Sequence, residues 1–201
     1  MIENNILGVV LAGGRSKRFG NDKTSAKLGD KSLIDHVVVK IEKNYNEILV
    51  ISNNKNIHLK NKNIFLIEDC IKGYLGPLIG VLSAMNWIYE NKKKYNWIAT
   101  FPCDTPFFDE SVFKIINNYK SKSNKKLFFL KSGNRRHNIF GLWSVELREV
   151  LLNDIKKGYR KVEEWANKIG CEIIEIKSDN QYSFMNINTK EDLKKAEENF
   201  K

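Results

Sequence analysis

A glycine-rich, basic segment follows the first apolar run of the chain. Residues 11–23 read LAGGRSKRFGNDK and come directly after the apolar residues ILGVV at 6–10. The segment holds three glycines and four basic residues. Glycines let backbone N–H groups approach a ligand closely, and basic side chains attract phosphate. The composition therefore indicates a loop that binds a phosphorylated ligand.

The spacing of the glycines excludes the two most common phosphate-binding motifs. A P-loop requires four residues between its glycines and then Lys followed by Ser or Thr. Here five residues separate Gly14 from Gly20, and Asn21 follows. A dinucleotide-binding fingerprint requires G-x-G-x-x-G, which the adjacent Gly13 and Gly14 do not supply.

The apolar pattern predicts a single α/β domain over residues 1–201 with a mostly parallel central sheet and helices on both faces. Short apolar runs bounded by Gly, Asn or Asp alternate with amphipathic segments, which is typical of βαβ units. The predicted strands are ILGVVL, EILVIS, NIFLIED, NWIATFPCD, KKLFFLKSG, NIFGLWSV and EIIEIK. The predicted helices cover residues 32–44, 78–93, 110–119, 146–158 and 161–170, with a last helix that begins near Thr189 and Asp192.

Asp104 stands where such a sheet binds ligands. It follows the predicted strand NWIATFPC, and ligands of open α/β sheets bind at the carboxyl ends of the strands. The alternative is that Asp104 only shapes the turn before the next helix. Cys103 beside it is expected to be a packed strand residue.

Composition narrows the cell compartment and the partners. The net charge is +10, and 42% of the residues are hydrophobic with no apolar stretch near the ~20 residues of a membrane helix. The N-terminus does not resemble a secretory signal, and the three cysteines have no metal-ligand spacing. The charge attracts polyanions, which could be nucleic acid, a membrane surface or a multiply phosphorylated small molecule, and it does not choose among them. The cysteines lead us to expect a cytoplasmic protein, and with the motifs described below we expect neither a membrane nor a nucleic-acid partner.

Four motifs in order resemble the molybdenum cofactor guanylyltransferases, a family of nucleotidyltransferases with a Rossmann-like fold. LAGGRSKRFGNDK matches the family's first loop, L-A-G-G-x-S-x-R-x-G-x-D-K. LIEDCIKGYLGPLIGVLSAM, FPCDTPFF and FMNINTKEDL match three later motifs, so the resemblance covers most of the chain. It implies transfer of GMP from GTP to the phosphate of molybdopterin, release of pyrophosphate and dependence on Mg²⁺.

The resemblance also implies the roles of individual residues. Arg18, Lys23 and Asp104 are the predicted catalytic residues, with Asp104 as the metal ligand. The predicted nucleotide-binding residues are Leu11, Ala12, Gly13, Gly14, Lys23, Asn53, Asp69 and Asp104. Surface charge is the alternative for Arg18 and Lys23, as it is for Arg15 and Lys17. The SNN run leaves Asn53 and Asn54 as alternatives for the residue that contacts the base or ribose. Glu68, the neighbour of Asp69, is expected only to cap or to be solvated.

The segment predicted to contact the acceptor departs from the family pattern. The family commonly has R-x-H-P-T, whereas Arg135 and His137 are here followed by Asn138 and Ile139. We expect His137 to contact substrate or to lie at the surface rather than to act as a base. Arg160 and Lys161 are candidates for the pterin phosphate or for a helix start. Asn186 and Asn188 have three candidate roles: contact with a second metal ion, contact with the pterin, or stabilisation of the turn before the last helix.

The sequence therefore predicts a guanylyltransferase with GTP and molybdopterin as substrates. A molybdenum-insertion protein is a candidate partner, and we expect a monomer. Two alternatives remain within the enzyme class: cytidylyl transfer to the same cofactor, and nucleotidyl transfer to a sugar phosphate. A third alternative is an adaptor that keeps the fold without catalysis.

Overall fold

A computed structural model gives the fold. It describes residues 5–13, 19, 26–59, 61–73, 76–119, 123–177, 180 and 182–199. The strands are β1 (Ile6–Leu11), β2 (Lys27–Leu28), β3 (Lys31–Ser32), β4 (Ile48–Ile51), β5 (Ile64–Ile67), β6 (Trp97–Pro102), β7 (Leu127–Ser132), β8 (Arg135–Ser144) and β9 (Glu172–Ile176). All seven strands predicted from the sequence are present.

The described helices follow the predicted ones closely. They are α1 (Leu33–Ile41), α2 (Pro77–Glu90), α3 (Ser111–Tyr119), α4 (Arg148–Lys156), α5 (Val162–Ile169) and α6 (Lys190–Glu198). The Thr189 hydroxyl accepts from the backbone of Asp192 in a capping box, as the sequence predicts. Within the described part of the chain, no helix has the length and apolar character needed to cross a membrane.

Seven strands form one sheet in the order β5-β4-β1-β6-β8-β7-β9. Every pairing is parallel except the two that involve β8. The mostly parallel sheet is thus confirmed, but the direction of β8 was not foreseen. It follows from the two-residue connection at Gly133 and Asn134, because a tight hairpin turn can join only antiparallel neighbours. The β2–β3 hairpin, which pairs Lys27 with Ser32, also escaped the sequence pattern.

Helices cover both faces of the sheet, as predicted. On one face, α1 and α3 bury residues such as Val37 and Phe113 against Val10 and Phe101. On the other face, α2, α4 and α5 pack over the opposite side chains of the same strands. A third, smaller cluster joins Leu28 and Leu33 to residues of the C-terminal segment. The end of the chain therefore packs beside the segment that follows the opening loop.

Gly141 permits the close approach of β7 and β8 near the centre of the sheet. A Cβ atom at this position would lie 2.7 Å from the Phe129 ring and 2.9 Å from the Phe128 carbonyl oxygen. Both atoms are fixed within the sheet, so neither can move away at low cost. Only glycine fits this position without a shift of the backbone.

We expect Gly141→Ala to lower the free energy of unfolding by about 3 kcal/mol, because overpacking displaces a buried strand. Gly133→Ala is the matched control, since Gly133 has open space around it and a φ of 53°. Its cost is limited to backbone strain of about 1 kcal/mol. Urea unfolding of both variants measures the difference, and equal losses would show that crowding at Gly141 is unimportant.

Candidate active site

The end of β1 lies between β4, which leads to Asn53, and β6, which leads to Asp104; Asp69 follows β5, the strand beyond β4. The parallel ladder continues past the strand on both sides: the Ala12 N–H donates to the Ile51 carbonyl at 2.9 Å, and the Cys103 N–H donates to the Leu11 carbonyl at 3.2 Å. These bonds fix Leu11 and Ala12 at the carboxyl edge of the sheet. Gly13, which continues the chain at this edge, is exposed.

Asp69 is held by Asn53 through two reciprocal hydrogen bonds. The Asn53 amide nitrogen donates to Asp69 Oδ2 at 2.8 Å, and the Asp69 backbone N–H donates to Asn53 Oδ1 at 3.2 Å. The neighbouring Asn54 accepts instead from the backbone of Asn56. The structure therefore resolves the ambiguity of the SNN run: Asn53 is the residue paired with Asp69. Glu68 forms an exposed ion pair with Lys55, as expected for a solvated neighbour.

The Asp69 carboxylate lies between two glycines. A Cβ atom at Gly13 would be 3.5 Å from Asp69 Oδ2, and one at Gly80 in α2 would be 3.8 Å from Oδ1. A Cβ atom at Gly80 would also lie 2.9 Å from Leu11 Cδ2, so the Leu11 side chain would have to shift to accept a larger residue. Burial raises the pKa of the Asp69 carboxyl above its ordinary value of 3.8, and the hydrogen bond from Asn53 partly offsets the rise.

Helix α2 contacts the loop that carries Asp69. Gly76 precedes the helix at a φ of 96°, a conformation that glycine tolerates, and Pro77 occupies the first helical position. Further along the helix, the Ser83 hydroxyl accepts from the Cys70 N–H at 2.8 Å and donates to the Ile79 carbonyl. This contact connects the residue after Asp69 directly to α2.

Asp104 follows β6, the strand on the other side of β1. Its backbone carbonyl accepts from the Ile187 N–H at 2.8 Å, and its carboxylate Oδ1 lies 3.3 Å from the Thr105 hydroxyl. The same hydroxyl lies 2.9 Å from Asn186 Oδ1. The C-terminal segment is thus attached to the Asp104 turn by one backbone contact and one side-chain contact.

A different aspartate serves the helix that follows this turn. The Asp109 carboxylate accepts from the Ser111 backbone N–H at 2.7 Å, at the first residue of α3. Asp109 thus caps the start of α3, and the role of Asp104 stays a prediction. Cys103 is 5% exposed and packs in the sheet core, in agreement with the prediction of a strand residue.

The predicted cationic residues of the opening loop lie outside the described residues. These are Arg15, Lys17, Arg18 and Lys23, together with Gly14. Their contribution to the site stays a prediction. Leu11, Ala12 and Gly13 are described and lie beside both carboxylate-bearing segments.

His137 is buried, so the expectation of a surface role was wrong. The residue is 8% exposed, and its ring stacks on Phe184 at a centroid distance of 4.0 Å. Its Nε2 atom lies 2.7 Å from the Ser132 hydroxyl oxygen. Burial, assisted by the charge of Arg135, lowers the pKa of His137 to about 4. The imidazole is therefore neutral near pH 7.

The residue that replaces the family's proline has a local partner. Arg136, on β8, donates from Nε to the Asn138 side-chain oxygen. Its guanidinium lies 5.4 Å from the centre of the Phe129 ring and also contacts Asn167 of α5 at 3.4 Å. Asn138 thus orients Arg136 toward α5, on the face of the sheet opposite to the His137 stack.

Arg160 and Lys161 make contacts typical of helix ends. Arg160 Nη1 donates to the carbonyls of Ile155 and Tyr159 at 2.6 and 2.7 Å, near the end of α4. Lys161 precedes α5 and forms an exposed ion pair with Glu164 at 2.6 Å. These contacts favour the structural role over binding of the pterin phosphate. Asn188 likewise serves the last helix, because its N–H donates to Asp192.

Sequence reasoning missed two residues of the site. Thr105 stands next to Asp104 in the FPCDTPFF motif and is fully buried, but only the fold reveals that it contacts Asn186. Gly80 lies four residues after Gly76, one helical turn further along α2. That spacing was the available signal that this helix would approach the carboxyl edge closely.

A family model described as the MobA-like NTP transferase domain matches residues 8–169. This chain belongs to that family. A relative from Shewanella sediminis, named molybdenum cofactor guanylyltransferase, is 30% identical over 191 residues, which cover 94% of each chain. A relative of the same name from Nitrobacter hamburgensis is 27% identical over 192 residues, which cover 94% of this chain and 92% of the relative.

Solved structures share the fold over nearly the whole chain. The Molybdopterin-guanine dinucleotide biosynthesis protein A from Archaeoglobus fulgidus superimposes with a TM-score of 0.78 at 22% identity, covering 96% of this chain and 98% of that one. Rv0371c from Mycobacterium tuberculosis gives a TM-score of 0.73 at 14% identity, covering 98% and 100%. The predicted fold class and the nucleotidyltransferase family are therefore confirmed.

Titration of Asp69 gives a test of its burial. The folded chain holds the proton of Asp69 more tightly than the unfolded chain, so its ionisation destabilises the wild type as pH rises above 3.8. Asp69→Asn lacks this group and keeps an acceptor for Asn53. We expect the stability of the variant relative to the wild type to increase as pH rises from about 4, then to level off above the raised pKa. Urea unfolding with Glu68→Gln as control measures it, and a flat difference would contradict the assignment.

Titration of His137 has the opposite sign. Its pKa is about 4 in the folded chain, below the ordinary value of 6.5, so only the unfolded chain takes up a proton between these values. The wild type should lose stability as pH falls from 6.5 to about 4, and His137→Gln should lose less. Thermal unfolding at several pH values measures both slopes. His58→Gln changes an exposed histidine and controls for the loss of an imidazole; parallel curves for His137→Gln and the wild type would rule out the buried neutral ring.

Proposed function

We propose that this chain transfers GMP from GTP to the phosphate of molybdopterin and releases pyrophosphate. The observation that carries the proposal is the arrangement at the carboxyl edge, where the segments of Asp69 and Asp104 flank the end of β1 at Leu11 and Ala12. The names of the relatives from two bacteria support the choice of nucleotide and acceptor.

The reaction forms one P–O bond and breaks another. An oxygen of the acceptor phosphate attacks the α-phosphorus of GTP, and the bond between that phosphorus and the oxygen bridging to the β-phosphate breaks. Pyrophosphate leaves with the electron pair of the broken bond. Both reactants are anions, so catalysis requires in-line positioning and neutralisation of charge.

The chain offers groups for both tasks. Gly13 has no side chain to block the approach of a phosphate or ribose to the backbone, and the Asn53–Asp69 pair offers hydrogen-bonding groups beside it. We assign Arg18 and Lys23 to the charge of the triphosphate, which their family positions support. Leu11, Ala12 and Gly14 complete the proposed nucleotide-binding set.

Oxygen donors at the second carboxylate suit a magnesium ion. The Asp104 carboxylate has its Oδ1 beside the Thr105 hydroxyl, and Mg²⁺ prefers oxygen ligands with several positions left to water and phosphate. Among the described residues, no group of three or more His, Cys, Asp or Glu could hold a metal ion. We assign the metal to Asp104 together with the phosphates of the nucleotide, the arrangement that the few protein ligands of Mg²⁺ allow. When bound, Mg²⁺ would offset the charge that develops on pyrophosphate.

A general base is not needed at this site. The acceptor phosphate is already ionised near neutral pH, so its oxygen can attack without loss of a proton. His137, with a pKa of about 4 and its Nε2 beside Ser132, is engaged in packing and is a poor candidate for proton transfer. Binding and orientation of two anions are therefore the main work of the side chains.

The compartment, the oligomeric state and the partners of the chain are predictions. We expect the chain to act as a monomer in the cytoplasm, with a molybdenum-insertion protein as a candidate partner and no nucleic-acid partner. The excess of basic over acidic residues gives a net charge of +10, which attracts anionic substrates such as GTP and molybdopterin.

Nucleotide-dependent release of pyrophosphate tests the proposal. The protein is incubated with Mg²⁺, molybdopterin and each nucleoside triphosphate in turn, and we expect release with GTP. Asp104→Asn and Lys23→Gln should each lower kcat by about 100-fold, because each removes charge that stabilises the transition state. Asp109→Asn is the matched control, since it changes an exposed aspartate five residues from Asp104 and should leave kcat unchanged.

Three outcomes would overturn the proposal. Release with CTP but not GTP would favour cytidylyl transfer to the same cofactor. Release that requires a sugar phosphate in place of molybdopterin would favour nucleotidyl transfer to a sugar phosphate. A salt-sensitive gel shift with nucleic acid and no turnover with any nucleotide would favour the adaptor.

A further inference from the structure

Thr105 connects the proposed metal-binding carboxylate to the C-terminal segment. The residue is fully buried, and its hydroxyl oxygen lies 3.3 Å from Asp104 Oδ1 and 2.9 Å from Asn186 Oδ1. Asp104 and Asn186 are 82 residues apart in the sequence. A single side chain thus bridges two segments that meet only in the folded chain.

The count of protons restricts how this bridge can be arranged. A threonine hydroxyl has one proton and can donate to only one of two oxygens. If the Asn186 amide turns by 180°, its NH₂ group faces Thr105 and donates to the hydroxyl oxygen. The Thr105 proton is then available to Asp104, and an ionised carboxylate is a stronger acceptor than a neutral amide. The consistent chain runs from the Asn186 amide through Thr105 to Asp104.

A backbone contact reinforces the same link. The Ile187 N–H donates to the Asp104 carbonyl at 2.8 Å, and the Ile187 side chain is fully buried with Leu28 and Leu33. The main chain of Asp104 is therefore fixed by one residue of the C-terminal segment. The torsion about the last side-chain bond is broad for aspartate, so the contacts of the carboxylate decide its direction.

We propose that Thr105 is a positioning residue that fixes the direction of the Asp104 carboxylate. The hydroxyl holds Oδ1 toward Asn186 and thereby orients the other carboxylate oxygen. This role rests on the proposed function, because the carboxylate is positioned for the metal ion of the GMP transfer. The geometry itself rests on the contacts of Thr105 with Asp104 and Asn186. Thr105 need not touch the substrate in this role.

The test compares variants with and without the hydroxyl. Thr105→Val keeps the shape and removes the hydroxyl, whereas Thr105→Ser keeps it. Thr100→Val is the matched control: Thr100 is also fully buried on the same chain segment, but its hydroxyl contacts Trp143 and the Ile139 carbonyl, away from Asp104. Because the metal is proposed to be held together with the nucleotide, Mn²⁺ binding to each folded protein is measured by electron paramagnetic resonance in the presence of a non-hydrolysable GTP analogue, with the analogue alone as reference. The Mg²⁺ dependence of pyrophosphate release is measured in parallel.

We expect Thr105→Val to weaken Mn²⁺ binding about tenfold, the size expected for loss of a hydrogen bond to a charged group. The Mg²⁺ concentration for half-maximal activity should rise similarly, with most of kcat regained at saturating Mg²⁺. Thr105→Ser should restore wild-type affinity, and Thr100→Val should lower the melting temperature without changing affinity. If Thr105→Val does not fold, Thr105→Ala also lacks the hydroxyl and should weaken Mn²⁺ binding in the same direction.

Several results would overturn the positioning role. These are wild-type Mn²⁺ affinity in Thr105→Val, an equal loss in Thr100→Val, no recovery in Thr105→Ser, or no Mn²⁺ binding by the wild type. The double variant Thr105→Val/Asn186→Leu should lose no more Mn²⁺ affinity than the weaker-binding single variant, because both substitutions interrupt the same hydrogen-bond chain to Asp104. Mn²⁺ binding with no GTP-dependent pyrophosphate release would refute the proposed function alone.

Discussion

The parallel pairing of β1 with its two neighbours is the constraint on which the site depends. Backbone hydrogen bonds from Ala12 to Ile51 and from Cys103 to Leu11 extend the ladder beyond the strand itself. As a result, the chain leaves the sheet as a loop between Asn53, which holds Asp69 of the next strand, and the segment of Asp104. The strands that pair in this way are buried on both faces, which is why their sequences are almost continuously apolar.

Close packing brings the loop and Asp69 together at an electrostatic cost. Gly13 and Gly80 allow the Asp69 carboxylate to lie between β1 and α2, where burial raises its pKa. Asn53 compensates part of this cost by donating to the carboxylate. A half-buried carboxylate that accepts from a single neutral side chain among the described residues is expected in a site that binds a further ligand, because its remaining acceptor positions suit the hydroxyl groups of a nucleotide.

Much of the fold was predictable because the strands and helices differ in local period. The continuous apolar run of β4 and the Thr189 capping box are examples in which a few adjacent residues contain the whole signal. The direction of β8 was missed because it depends on a two-residue turn, not on the strand's own pattern. The short β2–β3 hairpin carries too few residues for a periodic signal.

The site was predictable in its strand-end carboxylates but not in their partners. Asp104 and Asp69 follow apolar strands, so their location at the carboxyl edge follows from the order of elements. The choice of Asn53 over Asn54, and the contact of Thr105 with Asn186, arise from segments that are distant in sequence. His137 was expected to contact substrate or to lie at the surface, and the surface position was wrong for the same reason: Phe184, far along the chain, stacks on its ring.

The central claim is that the two carboxylates flank one nucleotide at the end of β1. A crystal structure with Mn²⁺ and a non-hydrolysable GTP analogue tests it most directly, because manganese gives an anomalous signal. We expect a manganese peak about 2 Å from an Asp104 carboxylate oxygen. We also expect the nucleoside to contact Gly13 and Asp69. A nucleotide bound elsewhere, or a metal ion that does not contact Asp104, would contradict it.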